Sequence, residues 1–186
     1  MNTKNVITSS NNPQIKNLAL LQKKAKARNE QGLFVVEGIK MFEEARNEGL
    51  LVKAYMSENF YKDKLKAPDF FEGLDYEVVS DSLFGQITDT MTPQGILGTA
   101  RKPVYSFEDL IRAEDAFLLI LEDIRDPGNL GTIIRTAEGA GVTGVVLNRS
   151  CADILQPKVV RSTMGSVFRV PYYEAEDFIT YLKKLK

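Results

Sequence analysis

The chain has 186 residues, 44% of them hydrophobic, and 24 basic against 25 acidic residues leave a formal net charge of −1. That content buries a real core in one large or two small globular domains and excludes a disordered chain. No apolar run approaches the roughly 18 residues of a membrane span, and the polar opening MNTKNVITSSNN has no signal-peptide core, so no membrane contact and a cytoplasmic location are expected. Histidine is absent, which removes histidine acid–base catalysis, the usual zinc sites and the Ser-His-Asp triad. The single cysteine, Cys151, has no partner for an internal disulfide and is expected to be a small buried side chain.

Residues 1–30 hold Lys4, Lys16, Lys23, Lys24, Lys26 and Arg28 against Glu30 alone, a net +5 that leaves −6 for the remainder. Asn12 and Pro13 form an N-cap and first-turn pair, and Ile15, Leu18 and Leu21 or Ala25 follow at helical spacing. One amphipathic basic helix is predicted. Its cations suit a solvated face or contact with a polyanion, and composition leaves both open. Short β-rich runs come next at 33–36, 51–56, 76–79 and 95–100, separated by helical stretches such as IKMFEEARNEG, where Gly49 suits a C-cap. Strands alternating with helices indicate an α/β unit. RKPVYSFEDLIRAED (101–115) reads as a linker that becomes a short helix, dividing the chain into domains 1–104 and 105–186.

After the linker the alternation restarts. FLLILEDI (117–124) has the nearly continuous apolar character of a parallel strand buried on both faces. GVVLN (144–148) is a second such strand and SVFRVPYY (166–173) a third. EAEDFITYLKKLK ends the chain as a helix, with acids in its first turn, lysines in its last, and Phe178, Ile179, Leu182 and Leu185 on one side. The order β-α-β-α-β-α predicts an open parallel sheet, whose ligand sites lie beyond the carboxyl ends of the strands.

The loop DPGN stands at such an end and leads into NLGTIIRTAEGAG. At 100° per residue, Leu130, Ile133, Ile134, Ala137 and Ala140 share the face that packs on the sheet, and Arg135 projects away from it. Gly131 lies one turn before Arg135 and clears space for another backbone or a ligand. Asn129 is the expected helix cap, with free N–H groups around it forming an anion seat. The alternative is a capped surface helix with a solvated arginine. Gly139, Gly141 and Gly144 spell G-x-G-x-x-G, but they end a helix and enter a strand, the reverse of a dinucleotide fingerprint.

These residues resemble a known family. LEDIRDPGNLGTIIRTAEGAGVTGVVL is similar to the first signature of the SpoU/TrmH group of SPOUT RNA ribose 2'-O-methyltransferases, with Asn129, Gly131 and Arg135 at its defining spacing. ILQPKVVRSTMGSVFRVPYY resembles the segment that follows, with Arg161, Ser162, Met164 and Gly165 in familiar positions. ITSSNNPQIKNLALLQKKAKARNEQGLFVVEGIKMFEEA and TPQGILGTA resemble the family's substrate-binding domain, which is similar to ribosomal protein L30e.

The resemblance implies an L30e-like α/β domain followed by an incomplete parallel-sheet SPOUT methyltransferase domain. Family members continue through a Gly-x-Glu loop and a Ser-Leu-Asn region into a trefoil knot, and the chain ends at Lys186 before both. The implied activity is methylation of a ribose 2'-OH in structured RNA, most naturally ribosomal RNA, by the full-length protein with S-adenosylmethionine. The expected cofactor contacts fall in the segment beyond Lys186, so residues 1–186 alone are expected to be inactive and to bind none. A homodimer and no metal are also implied. Arg135 and Asn129 are the catalytic candidates, with Gly128, Gly131 and Glu122 as loop support. Lys16, Lys23, Lys24, Lys26, Arg28, Arg161 and Ser162 are the candidate RNA contacts. The guanidinium holds its proton above pH ~12, so a bidentate clamp on the phosphate beside the target ribose suits Arg135 better than a base. The competing function is a non-catalytic RNA-binding protein with an L30e-like domain.

Overall fold

The computed structural model describes residues 5–112 and 114–185, and the chain divides into two compact units, residues 1–102 and 103–186. Lys4 lies outside the described residues.

The first unit runs β1 (Val6–Ile7), α1 (Pro13–Lys23), α2 (Ala25–Gln31), β2 (Leu33–Glu37), α3 (Ile39–Asn47), β3 (Leu51–Ser57), α4 (Glu58–Lys64), a 3₁₀ turn (Pro68–Phe71), β4 (Tyr76–Val79), α5 (Asp81–Ile87) and β5 (Ile96–Arg101). Its five strands form one sheet in the order β1-β4-β3-β5-β2. β1, β4 and β3 are parallel, while β5 runs antiparallel to both β3 and β2. Alternating side chains serve two layers. Val35, Tyr55, Val79 and Leu97 pack under α1, α2 and α5. Ala54, Met56 and Ile96 meet Phe42 of α3 and an aromatic group that includes Phe60, Tyr61 and Phe70.

The basic segment is two helices, not one. Lys24 adopts extended backbone (φ −123°, ψ 111°) and its N–H donates to Leu20 O, closing α1 before α2 begins. The break turns Arg28 inward. It is 4% exposed, and its Nη1 donates to Leu21 O at 2.5 Å and Gln22 O at 3.1 Å. These carbonyls belong to the last turn of α1, where a helix has no partners of its own and a cation is favoured. Arg28 therefore caps a helix, and its guanidinium is enclosed where the sequence led us to expect an exposed RNA contact. Lys16, Lys23, Lys24 and Lys26 are exposed, and Lys26 forms a loose pair with Glu30 at 3.7 Å.

The second unit runs α6 (Phe107–Ile111), β6 (Leu118–Leu121), α7 (Pro127–Gly139), β7 (Gly144–Asn148), α8 (Pro157–Thr163), a 3₁₀ turn (Ser166–Phe168), β8 (Tyr172–Ala175) and α9 (Phe178–Lys183). β6, β7 and β8 are parallel neighbours in chain order. One face of this sheet is covered by Phe107 and Leu110 of α6, with Phe178 and Tyr181 of α9. On α7, Leu130, Ile134 and Ala137 are buried.

Three expectations change here. The strand expected over 166–173 is a 3₁₀ turn followed by a strand that starts only at Tyr172, because Gly165 (φ 104°) reverses the chain and Ser166, Val167 and Phe168 are all buried. A strand would send alternate side chains to opposite faces. On α9 the packed residues are Phe178 and Tyr181 and Leu182 is half-buried, while Ile179 (57%) and, past the end of the helix, Leu185 (37%) are exposed. Cys151 is half-buried, its Sγ 3.3 Å from Asn148 Oδ1.

The misplaced glycine motif acts as a helix stop. α7 ends at Gly139, Gly141 takes the left-handed turn (φ 76°), and Gly144 lets Leu110 of α6 lie against the start of β7.

Candidate functional site

The loop after β6 is built by its own polar groups. Asp123 adopts left-handed backbone (φ 59°), which a short polar side chain tolerates. Its N–H donates to Asn148 Oδ1 at the end of the neighbouring strand (3.2 Å), and its carboxylate pairs with Arg125 at 2.9 Å. Ala152 N donates to Ile124 O at 2.8 Å, tying the loops after β6 and β7 together.

Asp126 caps α7: its Oδ1 accepts the Asn129 N–H at 2.7 Å, and Pro127 occupies the first helical position. The expected cap at Asn129 is thus displaced by one turn, and the N–H expected in an anion seat is already satisfied by a carboxylate. An acidic cap also suits the positive end of the helix dipole. Freed from capping, the Asn129 amide is exposed and makes no hydrogen bond among the described residues. It lines an open cleft of about 330 Å³ with Asp123, Ile124, Arg125, Asp126, Thr132 and Ile133.

Gly131 is buried by a close approach of α8. A Cβ there would stand 2.4 Å from Ser162 Cβ and 2.7 Å from Val159 O, so the space it clears admits a backbone, not a ligand. This assigns Ser162 to packing as well: its Oγ donates to Lys158 O at 2.8 Å, one turn back in α8. Arg161 is half-buried, with no exposed surface at Nη1. Gly128 is half-buried beside Asp126 Oδ1 (3.1 Å from a Cβ built there), and Glu122 is exposed directly after β6.

Arg135 is exposed, and among the described residues it makes no hydrogen bond or ion pair. One turn on, Glu138 accepts from Ser166 Oγ and Arg169 Nε. Two tyrosines of this unit are poor bases. Burial pushes the Tyr172 phenol up, and the hydrogen bond that Tyr173 donates to Tyr181 Oη (2.7 Å) raises it to about 12. Neither phenol is ionised near neutral pH, so neither is available there as a base.

Asp126, Asn148, Glu138 and Arg169 all escape the reading of the sequence. The first had a signal, since Asp126-Pro127 repeats the pattern of Asn12-Pro13, where the Asn12 side chain does accept from Gln14 N. The others are joined across 25 and 31 residues of chain, and only the folded sheet brings them together.

Residues 12–98 match the MRM3-like substrate binding domain and residues 116–186 the SpoU rRNA Methylase family. The chain is 35% identical over 97% of its length to the Bacillus subtilis 23S rRNA (guanosine(2553)-2'-O)-methyltransferase RlmP, of which it covers 68%. It is 34% identical over 77% of its length to the human mitochondrial rRNA methyltransferase 3, covering 35% of that protein. The AdoMet-bound rRNA methyltransferase from Sinorhizobium meliloti has the same fold, with a TM-score of 0.78 and 31% identity over 96% of this chain and 68% of that one. The chain therefore spans about two thirds of the two bacterial relatives and about a third of the human one. With both segments matched in order and the fold shared over nearly its whole length, the chain belongs to the SpoU rRNA methylase family.

Proposed function

We propose that the full-length protein methylates a ribose 2'-OH in ribosomal RNA, and that Arg135 is the side chain that fixes the reacting nucleotide. One observation carries the role of Arg135: it stands exposed and without an internal partner on a helix whose other face is packed. An arginine fork binds a phosphate through two parallel N–H···O bonds, which holds the adjoining ribose in register. Fixed positive charge there also stabilises the hydroxyl oxygen as its proton leaves. The free amide of Asn129 orders the hydroxyl from the cleft side. Recognition of a 2'-OH selects RNA over DNA.

S-adenosylmethionine, which the Sinorhizobium meliloti relative binds, supplies an electrophilic methyl group. The cleft beside Asn129 is open to solvent, whereas cofactor sites bury most of their ligand. No cofactor contact is therefore assigned to these residues, and residues 1–186 alone are expected to show no saturable heat when titrated calorimetrically with S-adenosylmethionine. Micromolar binding would place a cofactor site within residues 1–186. We also infer a homodimer for the full-length protein by family likeness, with Phe117, 54% exposed beside edge strand β6, as apolar surface available to such a contact. Light scattering at two concentrations tests it.

The test of function is transfer of labelled methyl to ribosomal RNA by the full-length protein and by Arg135→Ala. Label in a ribose 2'-O-methyl nucleoside, absent with the variant, is the expected result. RNA binding without transfer by the wild-type protein would mark it as a non-catalytic RNA-binding protein.

A further inference from the structure

Arg135 and Glu138 stand three residues apart on α7, a spacing at which opposite charges on a helix surface meet. A carboxylate presents the same two-oxygen face to a guanidinium as a phosphate does. Glu138 is thus an internal competitor for the fork that the proposed function directs at RNA, and an unpaired Glu138 would also repel the RNA backbone. In the structure it does neither. Its Oε2 accepts from Ser166 Oγ at 2.5 Å and from Arg169 Nη2 at 3.3 Å, and its Oε1 accepts from Arg169 Nε at 2.5 Å. Both oxygens are turned toward the segment after α8. Ser166 is 1% exposed, which fixes one end of this contact in the core, and Arg135 is left facing solvent.

We propose that Arg169, with Ser166, is a positioning residue that holds Glu138 and so keeps the Arg135 guanidinium available to an RNA phosphate. The inference rests on the reading of Arg135 as a phosphate clamp. It also gives a function to the 3₁₀ turn at 166–168, which sets Ser166 and Arg169 beside α7 where a strand would have carried them along the sheet.

The test uses the full-length protein, a short RNA hairpin as probe and a second readout without RNA. In Arg169→Ala, Glu138 is released toward Arg135. The slope of log Kobs against log salt is expected to fall by up to about 0.9, the value of one neutralised phosphate. The Arg135 Nε–Hε resonance, assigned by its disappearance in Arg135→Ala, is expected to become protected from exchange. Arg169→Lys keeps a charge beside Glu138 without the fork and should lower the slope less than Arg169→Ala does. Glu138→Gln added to Arg169→Ala should restore both slope and fast exchange, which no loss of folding would do. An unchanged slope and resonance in Arg169→Ala overturn the proposal, as does a fall that Glu138→Gln fails to reverse, since Arg169 would then touch RNA itself or merely support the fold. If Arg135→Ala leaves binding and turnover unchanged, the clamp reading falls and takes the inference with it. If Arg135→Ala weakens binding while Arg169→Ala does not, the inference falls alone.

Discussion

Arg28 in the first domain and Arg135 in the second are both helical arginines, yet one is enclosed and the other open. Arg28 follows a break at Lys24 that leaves the carbonyls of Leu21 and Gln22 without helical partners, and its guanidinium closes them. Arg135 sits inside an unbroken helix whose carbonyls are satisfied and whose cap is supplied by Asp126. An arginine turns inward where the backbone needs donors and stays outside where it does not. Only the second kind is available to a ligand.

The largest effect that separates them is on turnover. Arg135→Ala in the full-length protein is expected to lower methyl transfer roughly 100- to 1,000-fold, the usual consequence of deleting one oriented donor to a developing charge. Its stability should stay within about 0.5 kcal/mol of wild type, as for an exposed side chain with no partner. Arg135→Lys should recover little, because an ammonium cannot reproduce the fork. Near-normal turnover of Arg135→Ala with saturating RNA and cofactor would refute the clamp.

Arg28→Ala reverses the pattern. Two carbonyls at the end of α1 are deprived of a charged donor, so a drop in stability of about 2–3 kcal/mol is expected in denaturant or thermal unfolding. The salt slope of RNA binding by the variant should be unchanged at temperatures where it is folded. A lower slope would return Arg28 to the nucleic-acid surface.

Gly131 and Gly139 extend the comparison along α7 itself. At Gly131 a methyl group meets Ser162 Cβ and Val159 O within 2.4 and 2.7 Å, so Gly131→Ala should cost about 1–3 kcal/mol by forcing α8 away. At Gly139 an added Cβ finds nothing within 4 Å, and Gly139→Ala should stabilise by about 0.5–1 kcal/mol. Equal effects of the two substitutions on the melting temperature would contradict the close α7–α8 approach.

Periodicity makes much of this legible from sequence. The apolar runs of β2, β3, β4 and β7 and three of the five residues expected on the packed face of α7, Leu130, Ile134 and Ala137, follow from spacing alone, because burial imposes one period on many residues at once; Ile133 is half-buried and Ala140 exposed. What spacing misses are single polar choices. Nothing local distinguishes Arg28 from Lys24 or Lys26 until α1 breaks and creates acceptors for it. Nothing local separates a strand from a 3₁₀ turn in SVFRV, whose apolar residues are buried either way. The candidate site divides along the same line. Arg135 is visible as a charge off the apolar face, while the cap moved from Asn129 to Asp126, and the role of Glu138 depends on Arg169, 31 residues away.

The smallest expected effect concerns the cations that remain exposed beside Arg28. Lys16 and Lys23, seven residues apart, share one line of α1, and Lys24 and Lys26 stand exposed at the corner that follows. None is bound into the core, and the pair of Lys26 with Glu30 is too solvated to matter for folding. Reversing Lys16 and Lys23 to glutamate should leave the melting temperature within a degree or two, the scale of a surface change of under about 0.5 kcal/mol. If the two lysines touch RNA phosphates, the salt slope should fall by up to about 0.9 for each phosphate of a duplex-like RNA that they no longer neutralise. The same reversal at Lys24 and Lys26 then shows whether the footprint continues past the corner or stops on α1. An unchanged slope in both double variants would make this a solvated face, and would leave the second domain to supply the phosphate-binding groups.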